Sequence, residues 1–470
     1  MMNRLIKALL ITFCSTTVSG LVQASPLETV EFYDPLKTSP LASTPFRAHF
    51  SDIECGQALP QRLTMVVAVN AAICRDPRIQ QAWSITQAAG AQVGIGRSAY
   101  LPNINVQGSV SQVEQDFRDF DFPDQQSQRF TLSLEWLVFD FGRKARQEAF
   151  DQAQVRQAQG EQEDVIQNVV FETLTRFYDA IQAQAALTTK EEAQRLAQAS
   201  VHIVEQRLAG GAVTAADLIQ VQATHARAQL ERQQAEIEVR QRIARLNQLL
   251  GSDLARQYEL VDPSRANWSA LEQRYPDLLR AAELSHPRIL AAQARLQALY
   301  EQLGLARTAY YPSVTATAEY QYEFDRDDKF RNSRPESNTQ LGMQINMPLF
   351  TGFRNHYQTQ RSQHELAAGQ AQFNQVGEEV RLDLWQSFQL WRDTQDQVAL
   401  SELLFDQAAR AELVTRQRYI EGVGNIFDWI TAQENLAQAK LTRVNAYNQQ
   451  NTSMAQLARA SGNLGIWLLR

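Results

Sequence analysis

The chain has 470 residues and a mass of 53.2 kDa, long enough for up to three domains of about 150 residues or for one extended architecture. With 44% hydrophobic and 21% charged residues, it is excluded from the collagenous, mucin-like and wholly disordered classes. A net charge of −7 with no basic stripe excludes nucleic acid as a partner, and 20 glycines and 14 prolines beside abundant Ala, Gln, Glu and Arg favour long helices.

At the start of the chain, Arg4 and Lys7 precede an apolar stretch over 8–22, and Val22, Gln23 and Ala24 form a small-residue cleavage pattern. Residues 1–24 therefore read as a signal peptide; Ser15, Thr16, Thr17 and Ser19 make the stretch too short and too polar for a membrane anchor. Cys14 leaves with the signal, and no cysteine stands at the cleavage point for lipid attachment. In an oxidising compartment Cys55 and Cys74 have one pairing, closing a loop of about 20 residues worth roughly 3 kcal/mol. Two unpaired buried thiols are the alternative. Both cysteines fall in an N-terminal segment, 25–75, of which 25–54 carry no assignable pattern.

Beyond the signal no run of 18 apolar residues occurs, which excludes a transmembrane helix but not a membrane strand. An internal repeat organises the rest. Asp76, Pro77 and Arg78 recur as His286, Pro287 and Arg288, and Tyr100 and Pro102 as Tyr310 and Pro312, at an offset of 210. Phe139, Arg143, Arg207, Gly211 and Asp217 recur as Phe350, Arg354, Arg418, Gly422 and Asp428 at an offset of 211. The chain thus divides into a first repeat, 76–285, and a second repeat with a C-terminal segment, 286–470.

Each repeat reads as a short helix, two strands, a long helix, a turn and a shorter helix. The short helices cover 78–99 and 288–309, ended by the prolines that follow. Strands are expected at about 103–118, 127–139, 313–325 and 338–350. In each of them apolar and polar residues alternate, as Val314, Ala316, Ala318, Tyr320 and Tyr322 do with Thr315, Thr317, Glu319, Gln321 and Glu323. A soluble sheet packed on helices is the plain alternative. Against it, Tyr100, Trp136, Phe139, Phe141, Tyr310, Tyr311, Phe350 and Phe353 all fall where strands join helices, at the place of an interfacial aromatic girdle. Four strands cannot close a barrel, so a membrane reading requires several chains to share one.

The long helices, 143–209 and 354–420, span 67 residues each, about 100 Å. The shorter helix 214–250 has 37 residues; stacked end to end on the 22-residue helix of the other repeat it reaches about 90 Å, nearly matching one long helix. An antiparallel coiled-coil rod satisfies the same helical pattern.

The turn Arg418, Tyr419, Gly422, Asp428, followed by Gln433 and Leu436, resembles the tip signature of TolC-type outer-membrane efflux and secretion proteins. Arg207, Gly211 and Asp217 resemble its partner in the first half. With Asp76-Pro77, Leu101-Pro102 and Phe139 to Arg143, the resemblance covers roughly residues 57–462. It implies a mainly α fold with a membrane β-barrel: a homotrimer whose duplicated α-β-β-α units share one 12-stranded barrel, four strands per chain, continued by a periplasmic helical tunnel. It also implies a passive exit duct in the outer membrane of a Gram-negative bacterium, in contact with outer-membrane lipid. A periplasmic adaptor (membrane fusion protein) and an inner-membrane transporter are its implied partners, in type I protein secretion or drug efflux. The missing lipid-attachment cysteine points to the secretion branch. By resemblance Asp428 lines the periplasmic gate and Asp217 ties subunits or helices, while Gly424 and Thr431 stand where the family often has an arginine tie and a second acidic ring. The runner-up function is a periplasmic coiled-coil adaptor or scaffold.

Nothing supports catalysis, a cofactor or a metal. His49, His202, His225, His286, His356 and His364 are scattered, and Ala368 stands where a zinc helix begun by His364-Glu365 needs its second histidine. No P-loop or G-x-S-x-G occurs. Asp325, Asp327 and Asp328 read as a solvated acidic loop, with calcium binding in an outer loop the alternative, and Glu319 and Glu323 read as lumen-facing.

Overall fold

The computed structural model describes residues 34–42, 55, 58–113, 116–117, 120–121, 125–261, 274–327 and 334–464. The signal peptide, His49 and Asp328 lie outside them, as do the side chains of Asp325 and Asp327. Residues 37–470 form one compact unit. In chain order it contains β1 (Arg62–Leu63), α1 (Met65–Arg75), α2 (Pro77–Ser98), β2 (Asn103–Val113), β3 (Asp116–Phe117), β4 (Phe120–Asp121), β5 (Gln125–Phe139), α3 (Arg143–Ala209) and α4 (Ala215–Leu249). There follow β6 (Glu259–Leu260), α5 (Tyr275–Ser285), α6 (Pro287–Thr308), β7 (Ser313–Asp327), β8 (Arg334–Asn346), α7 (Arg354–Ile420) and α8 (Ile426–Ala460).

The helices of the two halves match in length. The short helices α2 and α6 have 22 residues, α3 and α7 have 67, and α4 and α8 have 35, so both halves build one frame on an axis of about 100 Å. Proline at the first position pre-sets the start of α2 and α6, and the residue before it caps the helix: Asp76 accepts from the Arg78 N–H at 2.8 Å and His286 Nδ1 from the Arg288 N–H at 3.2 Å. Each ends one residue earlier than expected, at Ser98 or Thr308, and passes through a turn over 99–101 or 309–311 before the proline.

The shorter helices stack within their own half, which corrects the pairing across halves. The C-terminal end of α4 meets the start of α2: Arg75 Nη1 donates to Leu250 O at 3.3 Å, and Gly251, at φ +59°, lies against Arg75. The end of α8 meets the start of α6, where a Cβ on Gly462 would lie 2.8 Å from His286 Cα. A left-handed glycine just past each helix end lets the next helix approach closely.

The core lies along α3. Ile166, Val170, Leu174 and Phe177 keep helical spacing and bury against Val69, Ile243 and Leu246, while Leu278, Ile289, Leu384 and Leu457 form the corresponding cluster of the second half. Cys55 and Cys74 are joined as a disulfide, with Cα atoms 5.6 Å apart. The stretch for which the sequence offers no pattern includes a 3₁₀ turn, Ser39–Ala42, seated on α2 where Gly90 leaves room for Ala42.

The main sheet is antiparallel in the order β2-β5-β7-β8. Its strands differ from the expected ranges at their ends. The first stops at Val113, before the small β3–β4 ladder, and the last runs over 334–346 instead of 338–350 because Pro348 has no N–H to continue the ladder.

Candidate functional site

Two parts of the molecule carry the residues singled out from the sequence. In the sheet, the ladder aligns the alternating strands so that like faces like. Val106 stands opposite Leu132 and Leu132 opposite Tyr320, and the row Trp136, Ala316, Met343 continues the same apolar face. On this face Ile104, Val110, Leu341, Met343 and Ile345 are each at least 64% exposed, so none of the described helices covers it. The other face is polar: Gln107, Thr131 and Gln321 share one row, and Ser133, Glu319 and Gln340 another. Glu323 accepts from Arg129 and Ser127, both at 2.8 Å, whereas Glu319 is exposed and has no partner among the described residues. The edge strands β2 and β8 pair only on their inner sides, with β5 and β7, among the described residues.

Where the sheet meets the helices, the expected aromatics gather and stay exposed. Phe139 and Phe141 pack edge to face at 4.8 Å, Phe141 stacks on Tyr311 at 5.6 Å, and Phe350 meets Phe353 at 5.5 Å. Trp136 Nε1 donates to Tyr100 O at 2.9 Å, which ties the strand to the end of the short helix.

At the far end of the long helices the two turns lie together. Gly211 at φ +74° and Gly422 at φ +81° end α3 and α7 in left-handed turns, in which the Ala212 N–H reaches Arg207 O and the Val423 N–H reaches Arg418 O. Arg207 Nη1 donates to Tyr419 O at 2.7 Å, a carbonyl that also accepts the Gly422 N–H at 3.1 Å, and its guanidinium lies 4.7 Å from the centre of the Tyr419 ring. Tyr419 stacks on Trp429 at 5.4 Å, and Trp429 Nε1 donates to buried Glu412 at 3.0 Å. Val201, Val204, Val221 and Ile426 pack around them. Sequence reasoning missed Trp429 and Glu412; a lone tryptophan in a helix carries no signal that it sits beneath a turn.

The two aspartates differ. Asp217 completes a capping box with Thr214, accepting from its N–H at 2.9 Å and its hydroxyl at 2.8 Å, and these bonds hold its carboxyl below the usual carboxylate range. Within the chain Asp217 serves its own helix, and the tie between the turns runs through Arg207. Asp428 is exposed at the equivalent position of α8, with no partner among the described residues, because Asn425 caps that helix by itself. Arg418 is likewise exposed and unpaired among them. Gly424 has a steric reason: a Cβ there would lie 2.9 Å from Tyr419 N and 3.0 Å from Arg418 C.

Between the turns and the molecule's middle, Lys190–Glu231, Arg227–Glu434 and Lys440–Glu192 pairs line a cleft between the two helical hairpins. Among the described residues no group of three or more His, Cys, Asp or Glu is placed to hold a metal ion, and no helix is long and apolar enough to cross a membrane.

The profile of the family described as "Outer membrane efflux protein" matches residues 68–252 and 278–463. Protein CyaE of Bordetella pertussis is 27% identical over 404 residues, covering 86% of this chain and 85% of that protein. Outer membrane efflux protein BepC of Brucella suis is 22% identical over 380 residues, 79% of each chain. The crystal structure of the outer membrane protein VceC from Vibrio cholerae superposes with a TM-score of 0.71 at 19% identity, covering 85% of this chain and 96% of that one, a likeness of fold.

Proposed function

The chain belongs to the outer membrane efflux protein family, and we propose that it is the outer-membrane exit duct of a tripartite export system. In this reading residues 1–24 direct export, and 76–285 and 286–470 are duplicated units. Three copies join β8 of one to β2 of the next, making a 12-stranded barrel. The long helices continue it as a periplasmic tunnel, open to an adaptor and an inner-membrane transporter at the turns. The observation that carries the proposal is the open sheet: one mainly apolar exposed face, one polar face and, among the described residues, two edges with no outer neighbour. An open edge cannot face lipid and an apolar face of this size does not stay in water, and closure among three copies removes both problems. The polar face then lines a water-filled passage, which moves cargo without chemistry.

Substitution on the two faces of β7 tests this. Tyr320→Asp places a charge on the lipid face at a cost of about 2–4 kcal/mol in each chain, and assembled protein in the outer membrane should nearly vanish. Gln321→Asp, one residue along and facing water, should leave its amount unchanged. Equal amounts of assembled protein for both variants, or wild-type protein that extracts in buffer without detergent, would remove the barrel and return the chain to a periplasmic scaffold.

A further inference from the structure

The junction between sheet and helices holds cations that the fold itself does not use. Arg143 and Arg354 open α3 and α7, and Arg307 lies in the last turn of α6; all three are exposed, and none makes a side-chain hydrogen bond or ion pair among the described residues. A positive charge at a helix start opposes the helix dipole, and neither α3 nor α7 has an acidic residue in its first turn to offset it. The nearby carboxylates are engaged elsewhere. Glu148 pairs with Arg97 at 2.9 Å, Glu301 with Arg146 at 2.7 Å, and Asp140 accepts the Lys144 N–H at 2.9 Å. The region therefore keeps unbalanced positive charge.

Beside these arginines stand exposed aromatics. Phe141 and Phe353, each within two residues of an unpaired arginine, adopt φ of 53° and 62°, a left-handed conformation that side chains avoid unless the surrounding structure imposes it. In chain order each half runs from apolar strand to aromatic turn to cation. That is the order a membrane surface presents from hydrocarbon through glycerol to phosphate.

We propose that Arg143, Arg354 and Arg307 bind the phosphate groups of anionic phospholipids in the periplasmic leaflet, fixing the depth of the barrel; this rests on the barrel reading above. Charge complementarity selects this occupant, since guanidinium forks match phosphate oxygens and a zwitterionic headgroup offers no net charge. The aromatics hold the chain at headgroup level, and the arginines choose the headgroup.

The test uses the assembled protein in nanodiscs of equal phosphatidylglycerol and phosphatidylethanolamine, with the lipids retained after mild extraction identified by mass spectrometry. Wild type should retain phosphatidylglycerol preferentially, and 10 mM inorganic phosphate should not displace it. An arginine near an anionic surface contributes about a fivefold preference, so Arg143→Gln with Arg354→Gln should lower the enrichment about 25-fold, while the two Arg→Lys replacements should keep most of it. Undiminished enrichment in the glutamine variant overturns the inference, as does enrichment that free phosphate abolishes. Loss of the assembled oligomer in the glutamine variant alone also overturns it, because the arginines would then join copies of the chain. Wild type that fails to enter any nanodisc refutes the barrel itself, a result distinct from insertion without lipid preference.

Discussion

The two halves of the chain keep the same helix lengths and turn backbone but use equivalent side chains in opposite ways. In the first half Arg207 is engaged with Tyr419 and Asp217 with Thr214; in the second, Arg418 and Asp428 are exposed and without partners among the described residues. Near the middle of the molecule the short helix of the first half is capped by the carboxylate of Asp76 and that of the second by the imidazole of His286. A repeated backbone therefore leaves its charges open to reassignment, with the first half using them within the fold and the second leaving them exposed.

The largest expected difference between the halves is in acid. Burial, with Arg288 and Arg459 adding repulsion, lowers the His286 pKa to about 4, so the folded imidazole stays neutral where the unfolded one takes a proton near 6.5. Stability should fall as pH drops from about 6.5 to 4, by about 3 kcal/mol in full, and His286→Asn should abolish that part of the slope. Melting curves of the two proteins compared across this window measure it; parallel curves would show that the second cap titrates no differently from an unfolded histidine.

A smaller effect separates the arginines. Arg207→Ala removes a charged hydrogen bond and a ring contact, together about 2 kcal/mol, so amides around residue 420 should exchange about 30-fold faster. Arg418→Ala should leave them unchanged. Equal exchange in both variants would mean that the tie does not hold the turns together.

The aspartates sharpen the comparison with the smallest changes in stability. Asp217→Ala should speed exchange at the start of α4 several-fold and leave conductance selectivity alone, since its carboxylate is occupied by Thr214. Asp428→Ala should leave exchange unchanged but reduce cation selectivity and block by multivalent cations applied from the periplasmic side of a planar bilayer. If Asp428→Ala conducts like wild type, its carboxylate is only a helix-start residue.

Much of this was legible in the chain itself. The 67-residue helices were readable to the residue because each lies between a strand-ending aromatic turn and a glycine turn, and no proline interrupts either of them. The strands were readable from strict alternation, though their ends shifted because pairing with a neighbour decides where a strand stops. The tip glycines were readable because only a residue free of Cβ strain reverses the backbone there.

Spatial neighbours were not. The sequence by itself determined the lengths of the elements, the two faces of the sheet and the positions of the turns, since each follows from a local period or a local backbone requirement. Only the tertiary structure decided that α4 stacks on α2 of its own half, that Arg207 joins the two turns within the chain, and that Gly424 must lack a side chain. The physical reason is that these depend on which carbonyl, ring or backbone atom another helix brings within about 3–5 Å, and equivalent residues in a repeat meet different neighbours.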